Sequence, residues 1–300
     1  MTTNTTANAA AIAARLESAP RAAVGIRGYH AADDTPVQYL ALKRNTHDLK
    51  PIADPGTRDL YGMEVEVDTQ RATREKEEIA RYVRDIMANK GLRDVERDGS
   101  VRGFEIITEP CTLAAASYGL PWDELCATLD TLGCRAHDGY QTGIHVHVSR
   151  AALGMTDDAR DMACAKILVL MDKFTAQLIK FARRDWTTEY YCKKYDNFDG
   201  RGENSTKKMV KKFKDTAKIV GSRDRYRCLN LTNEHTVEFR IFKSTLDPLS
   251  IRAIFQLCST LVNYAKTHTT PEIQSCTWSD LIDSCKLPEL KEYCTRRAIA

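Results

Sequence analysis

Three short apolar runs carry charged or polar residues at every second position. Glu64, Glu66 and Asp68 alternate with Met63, Val65 and Val67; His145, His147 and Ser149 alternate with Ile144, Val146 and Val148; Glu238 and Arg240 alternate with Val237, Phe239 and Ile241. Successive side chains on a strand point to opposite faces, so this period of two predicts three strands, each with an apolar and a polar face. Gly103 to Thr108 reads as a fourth strand, with Glu105 and Glu109 in phase. Ile107 shares their face, which calls for a bulge or for a single functional carboxylate, and Glu105 is the better candidate. One sheet would gather these polar positions on one surface.

The rest of the chain alternates hairpins with long helical patterns. A weak strand, Leu92 to Glu96, joins the Glu105 strand through the turn Asp98-Gly99-Ser100, and Arg227 to Leu231 pairs with Thr236 to Phe242 across residues 232–235. Ile79, Val83 and Ile86 mark a helix over Arg71 to Ala88 that stops before Gly91. Leu113 to Leu132 is helix-rich. Ile167, Met171, Phe174, Leu178 and Phe181 recur at helical spacing and predict one long helix, Asp157 to Arg183. Another helix follows Pro248 as far as Ala265, and two short helical segments finish the chain. Such interleaving predicts an α+β fold with helices packed on one sheet face. Residues 1–55 read as an N-terminal extension, partly disordered or helical, with an Ala-rich helix near Ala9 to Glu17 and a strand at Val37 to Leu42. Residues 56–300 form the main domain, interrupted at about 185–220 by an aromatic loop or lid and a lysine-dense helix, Ser205 to Val220.

Composition narrows the classes. The net charge of +3, from 44 basic and 41 acidic residues, carries no strong polyanion-binding signature. No apolar run approaches the roughly 18 residues of a helical membrane span. The ten cysteines include no C-x-x-C pair, and several fall in apolar helical patterns, which points to a reducing, cytoplasmic setting.

Carboxylates and imidazoles on shared faces suggest a divalent metal, and an arginine beside them suggests a phosphate-bearing ligand. Three carboxylates in a row on one strand repel one another unless cations neutralise them. Each motif alone has a plainer explanation: a solvated strand face, a solvent-facing histidine pair, an ion pair between Glu238 and Arg240.

Together the motifs resemble the amidoligases, distant relatives of glutamine synthetase and glutamate–cysteine ligase. The matching pieces, in the family's order, are Tyr61-Gly62-Met63-Glu64-Val65-Glu66, Asp98-Gly99-Ser100 with Gly103-Phe104-Glu105, Thr142-Gly143-Ile144-His145-Val146-His147-Val148-Ser149, and Asn230 with Thr236-Val237-Glu238-Phe239-Arg240. The resemblance covers roughly residues 58–262. It implies a curved, mainly antiparallel sheet lining a nucleotide cleft, as in the glutamine synthetase catalytic domain and the guanidino kinases. It also implies ATP and two or three Mg²⁺ ions, with Mn²⁺ as a substitute. Glu64, Glu66, Glu105, His145 and Glu238 then correspond to metal ligands and Arg240 to a phosphate contact. His147 is placed near the nucleotide phosphates, with Arg223, Arg225 and Arg227 as candidates for one or two more phosphate-binding roles. Asp98 is the candidate base that deprotonates an amine. The implied reaction joins a carboxylate to an amine through an acyl phosphate.

Two other readings stand beside the ligase: a guanidino-type phosphotransferase on the same fold, and a non-catalytic nucleic-acid or protein-binding module. Lys207 to Lys218 reads either as a solvated amphipathic helix or as a docking surface for the acceptor, whether peptide, protein or modified nucleic acid. No membrane partner is expected, and an oligomer is compatible with the pattern.

Overall fold

The computed structural model describes residues 14, 24–29, 31, 36–53, 55–56, 59–136, 142–194 and 224–300. The lysine-dense helix, Arg223, and nearly all of the Ala-rich N-terminal helix lie outside these residues. The chain divides into two compact units, one of residues 1–53, 62–144 and 243–251, the other of 54–61, 145–242 and 252–300. The pairings are mainly antiparallel and the architecture is α+β, as the pattern predicts.

In the first unit β1 (Leu40–Leu42) and β2 (Leu49–Pro51) form an antiparallel hairpin, shorter than the strand expected from Val37. β3 (Leu60–Asp68) enters this unit at Gly62. Helix α1 runs Lys76–Met87 and not from Arg71, because residues 69–73 are spent on a turn: the Ala72 N–H bonds the Thr69 carbonyl at 3.0 Å and the Thr73 N–H bonds that of Leu132 at 2.8 Å. β4 (Leu92–Glu96) and β5 (Gly103–Thr108) form the hairpin expected around Asp98-Gly99-Ser100. The bulge lies on β4, between Leu92 and Asp94, not on β5. β6 (Cys111–Thr112) follows Pro110 and pairs in parallel with β1. The helix-rich stretch is two helices, α2 (Leu113–Tyr118) and α3 (Trp122–Thr131), separated by Gly119-Leu120-Pro121.

The apolar positions of β3, β4 and β5 are buried, among them Val65, Val67, Val95, Phe104 and Ile106. α1 packs against β4 and β5 and contributes the buried Ile79, Val83, Ile86 and Met87. Residues 24–29 run beside β4, with the Arg27 N–H on the Val95 carbonyl at 2.8 Å. Arg27 and Arg84 both bind the fully buried Asp94, which keeps that charge paired on both sides.

The second unit takes most of β7 (Gly143–Ser149). The expected long helix is two, α4 (Asp157–Lys173) and α5 (Thr175–Ala182). The Thr175 hydroxyl bonds back to the Met171 and Asp172 carbonyls at 3.0 and 2.7 Å, a pattern that bends helices. Phe174 leaves the helical conformation, with φ −102° and ψ 28°, and its ring meets Trp278 edge-on at 5.4 Å. β8 (Leu229–Asn230) and β9 (Thr236–Lys243) form the second predicted hairpin, and the strand order is β7-β9-β8. After α6 (Pro248–Thr267) the chain makes three short helices, not two: α7 (Thr270–Ser275), α8 (Trp278–Asp283) and α9 (Pro288–Arg296). Capping boxes at Thr269/Glu272 and Thr277/Asp280 start the first two, and Pro288 starts the third. Gln256 of α6 ties α9 in place by accepting the Leu290 N–H at 2.8 Å. No helix among the described residues is long and apolar enough to cross a membrane.

Candidate functional site

In the first unit, register decides which carboxylates meet. Glu66 of β3 stands opposite Glu105 of β5, and Glu105 stands opposite Glu96 of β4. Directly opposed residues project to the same face, so three carboxylates form a row across three strands. All three are buried. Gly103 permits the close approach of β3 and β5, since a Cβ there would lie 1.9 Å from the Val67 carbonyl oxygen. Asp98 sits in the hairpin turn, where one oxygen accepts the Ser100 N–H at 2.7 Å. One ligand atom each from Glu66, Asp98 and Glu105 all lie within 4.8 Å of one another.

Electrostatics reflects this crowding. Burial, followed by the charges of Glu64, Glu66 and Asp98 and a hydrogen bond with Glu64, pushes the Glu105 carboxyl well above the usual glutamate range. Glu66 is oriented by two bonds: its Oε2 accepts the Gly143 N–H, and its backbone carbonyl accepts the Ser244 hydroxyl at 2.7 Å. Oxygen-only donors at this density suit a hard divalent cation, which would offset the repulsion.

Two carboxylates in phase with the motif serve elsewhere. Asp68 ends β3, and its Oδ1 accepts the Gln70 N–H at 2.7 Å, capping a turn. Glu109 lies beyond β5; it accepts the Gln38 N–H at 3.2 Å and contacts Arg93 at 3.5 Å, anchoring the segment before β1. Burial raises its carboxyl above the ordinary value despite that arginine. Glu96 is the acid that the motif reading missed; its signal is the hairpin register around Asp98-Gly99-Ser100, which sets it beside Glu105.

In the second unit the buried carboxylate of Glu238 meets Asn230, Arg240 and His145. Asn230, its opposite on β8, donates Nδ2–H to Oε2 at 2.7 Å; Arg240 donates to Oε1; the His145 Nδ1 lies 3.6 Å from Oε1. The Glu238–Arg240 ion pair of the plainer reading is therefore present, within a larger group that includes His145. The Arg240 Nε also bonds the Tyr191 carbonyl at 3.3 Å. The His147 Nδ1 sits 3.4 Å from the Thr236 hydroxyl. Arg150, just past β7, donates to the Asn233 and Leu231 carbonyls at 2.9 and 2.7 Å and so secures the β8–β9 turn. Arg225 bonds the Tyr226 hydroxyl at 3.2 Å and Arg227 the Lys194 carbonyl at 3.2 Å, near the entry to β8. Tyr195, Phe198 and the Lys207 to Lys218 region lie outside the described residues.

A family model described as "Putative amidoligase enzyme" matches residues 5–262. No curated protein matches the chain.

Proposed function

Because the chain belongs to the amidoligase family, a group of ligase-type enzymes, we propose that it is an ATP-dependent carboxylate–amine ligase forming an amide or isopeptide bond through an acyl phosphate. The observation that carries this reading is the convergence of the buried Glu66 and Glu105 with the half-buried Asp98, one ligand atom from each lying within 4.8 Å of the others. Glu64, Glu66, Glu105, His145 and Glu238 would hold two or three Mg²⁺ ions, which offset phosphate charge when bound.

The chain's own residues supply the rest. Arg240, held by Glu238 and the Tyr191 carbonyl, presents a guanidinium fixed in advance for phosphate. His147, Arg225 and Arg227 add donors for the nucleotide. A substrate carboxylate oxygen attacks the γ-phosphorus of ATP, the bond to the bridging oxygen breaks, and ADP leaves. Asp98 takes a proton from the amine, whose nitrogen attacks the acyl carbon and expels phosphate. The Ser100 N–H holds Asp98 in place for that role.

The test is ADP release in the presence of Mg²⁺, screened over amino acids, polyamines, peptides and modified nucleic acid. The ligase requires a carboxylate and an amine together. A stable phosphorylated acceptor would replace it with the phosphotransferase reading, and absence of nucleotide binding in Mg²⁺ would end both.

A further inference from the structure

Beside Arg240 lies a cluster of three tyrosines that the chemistry above does not use. The rings of Tyr190, Tyr191 and Tyr226 lie 5.1–5.6 Å apart, centroid to centroid, in edge-on and tilted arrangements. Tyr190 and Tyr191 are 57% and 48% exposed, unlike the buried aromatics of the core. Cations stand over the rings: the Lys193 ammonium 4.4 Å from the Tyr190 centroid, and the Arg225 guanidinium 5.0 Å from that of Tyr226. Backbone bonds hold the group together, with the Lys193 N–H on the Tyr226 carbonyl at 2.9 Å. The Tyr191 carbonyl receives Arg240, so a single guanidinium links the cluster to Glu238.

We propose that Tyr190, Tyr191 and Tyr226, with Lys193 and Arg225, form the platform that receives the purine ring of the nucleotide. Aromatic faces stack on bases, and neighbouring cations suit the phosphates that follow, so one ligand satisfies both halves of the patch. Arg240, the proposed phosphate contact, leads from the patch towards Glu238. The assignment rests on the chain being an ATP user.

The experiment compares Mg-ATP with Mg-tripolyphosphate, which has the phosphates and no base, by calorimetric titration of the full chain. Tyr190→Ala and Tyr226→Ala should each weaken ATP about fivefold or more and leave tripolyphosphate affinity unchanged, while Tyr190→Phe keeps both. Since the Tyr190 side chain is mostly exposed, its alanine variant separates binding from folding. Wild-type ATP affinity in both alanine variants, or an equal loss of ATP and tripolyphosphate binding, would overturn the assignment while leaving the ligase reading intact. Wild-type protein that binds neither ligand would overturn the ATP reading itself, and the platform with it.

Discussion

Glu66 and Glu105 face each other directly across β3 and β5, both buried, with Glu96 next in line beyond Glu105. Opposed like charges destabilise a sheet, and here low exposure deepens the penalty. The protein keeps them nonetheless, and burial together with the neighbouring charges of Glu64, Glu66 and Asp98 pushes the Glu105 carboxyl well above the usual glutamate range.

That shift makes stability depend on pH. The Glu105 carboxyl titrates higher in the folded chain than in the unfolded one, so the native state takes up its proton first as pH falls. The metal-free protein should therefore gain stability from this group as pH drops through its raised value. The gain is complete below the ordinary value of 4.5 and lost as pH rises. Glu105→Gln should be more stable than wild type by roughly 1 kcal/mol near neutrality, with the difference shrinking towards acid. Thermal melts in a chelator, over that range, read this directly. Adding Mg²⁺ should raise the Tm of wild type by more than that of the variant, which keeps the other proposed ligands.

Glu238 is the acceptor for Asn230, Arg240 and His145 in one buried group. Glu238→Ala should cost about 3 kcal/mol in denaturant unfolding, since it removes the carboxylate that both a half-buried guanidinium and a buried amide bond. Turnover should vanish. Arg240→Ala should lower kcat by roughly 10²–10³, the usual consequence of removing a charge-stabilising donor, with a smaller loss of stability.

A methyl group at position 103 meets the Val67 carbonyl oxygen. Gly103→Ala should cost about 1–3 kcal/mol by forcing β3 and β5 apart. Because the same displacement separates Glu66 from Glu105, Mg²⁺ affinity should fall as well; calorimetric titration of the folded variant checks this.

Asp98 can act as a base or as one more ligand for metal. Asp98→Asn should reduce amide formation roughly 10²–10⁴-fold while Mg²⁺ affinity stays within a small factor of wild type, if its task is the amine proton. Parallel loss of metal binding and turnover would assign the carboxylate to the metal instead.

Strands β3, β5, β7 and β9 were readable because period-two alternation is a local property of ten residues or fewer. The break at Phe174 was not, because apolar spacing runs through it unchanged and the cause is a hydroxyl bonding to its own backbone. The capping boxes that start two of the three short C-terminal helices were present in the sequence, at Thr269/Glu272 and Thr277/Asp280, as was Pro288, which starts the third.

Asp68, Glu96 and Glu109 show where legibility ended in the site itself. Alternation ranks Asp68 with Glu64 and Glu66, yet the strand ends there and its carboxylate caps a turn. Glu109 keeps the phase of Glu105, yet Pro110 follows it and Arg93 holds its side chain. Glu96 occupies the unremarkable end of a weak strand and becomes the neighbour of Glu105 through pairing alone.

The sequence by itself determined which side of each strand is polar, the order of the motifs and the α+β class, because these follow from short-range periodicity and turn chemistry. Only the tertiary structure decided which carboxylates become neighbours, which are diverted to turns and ion pairs, and that a tyrosine cluster stands beside Arg240. Those outcomes depend on register and on contacts between residues far apart in the chain, whose energies no local pattern contains.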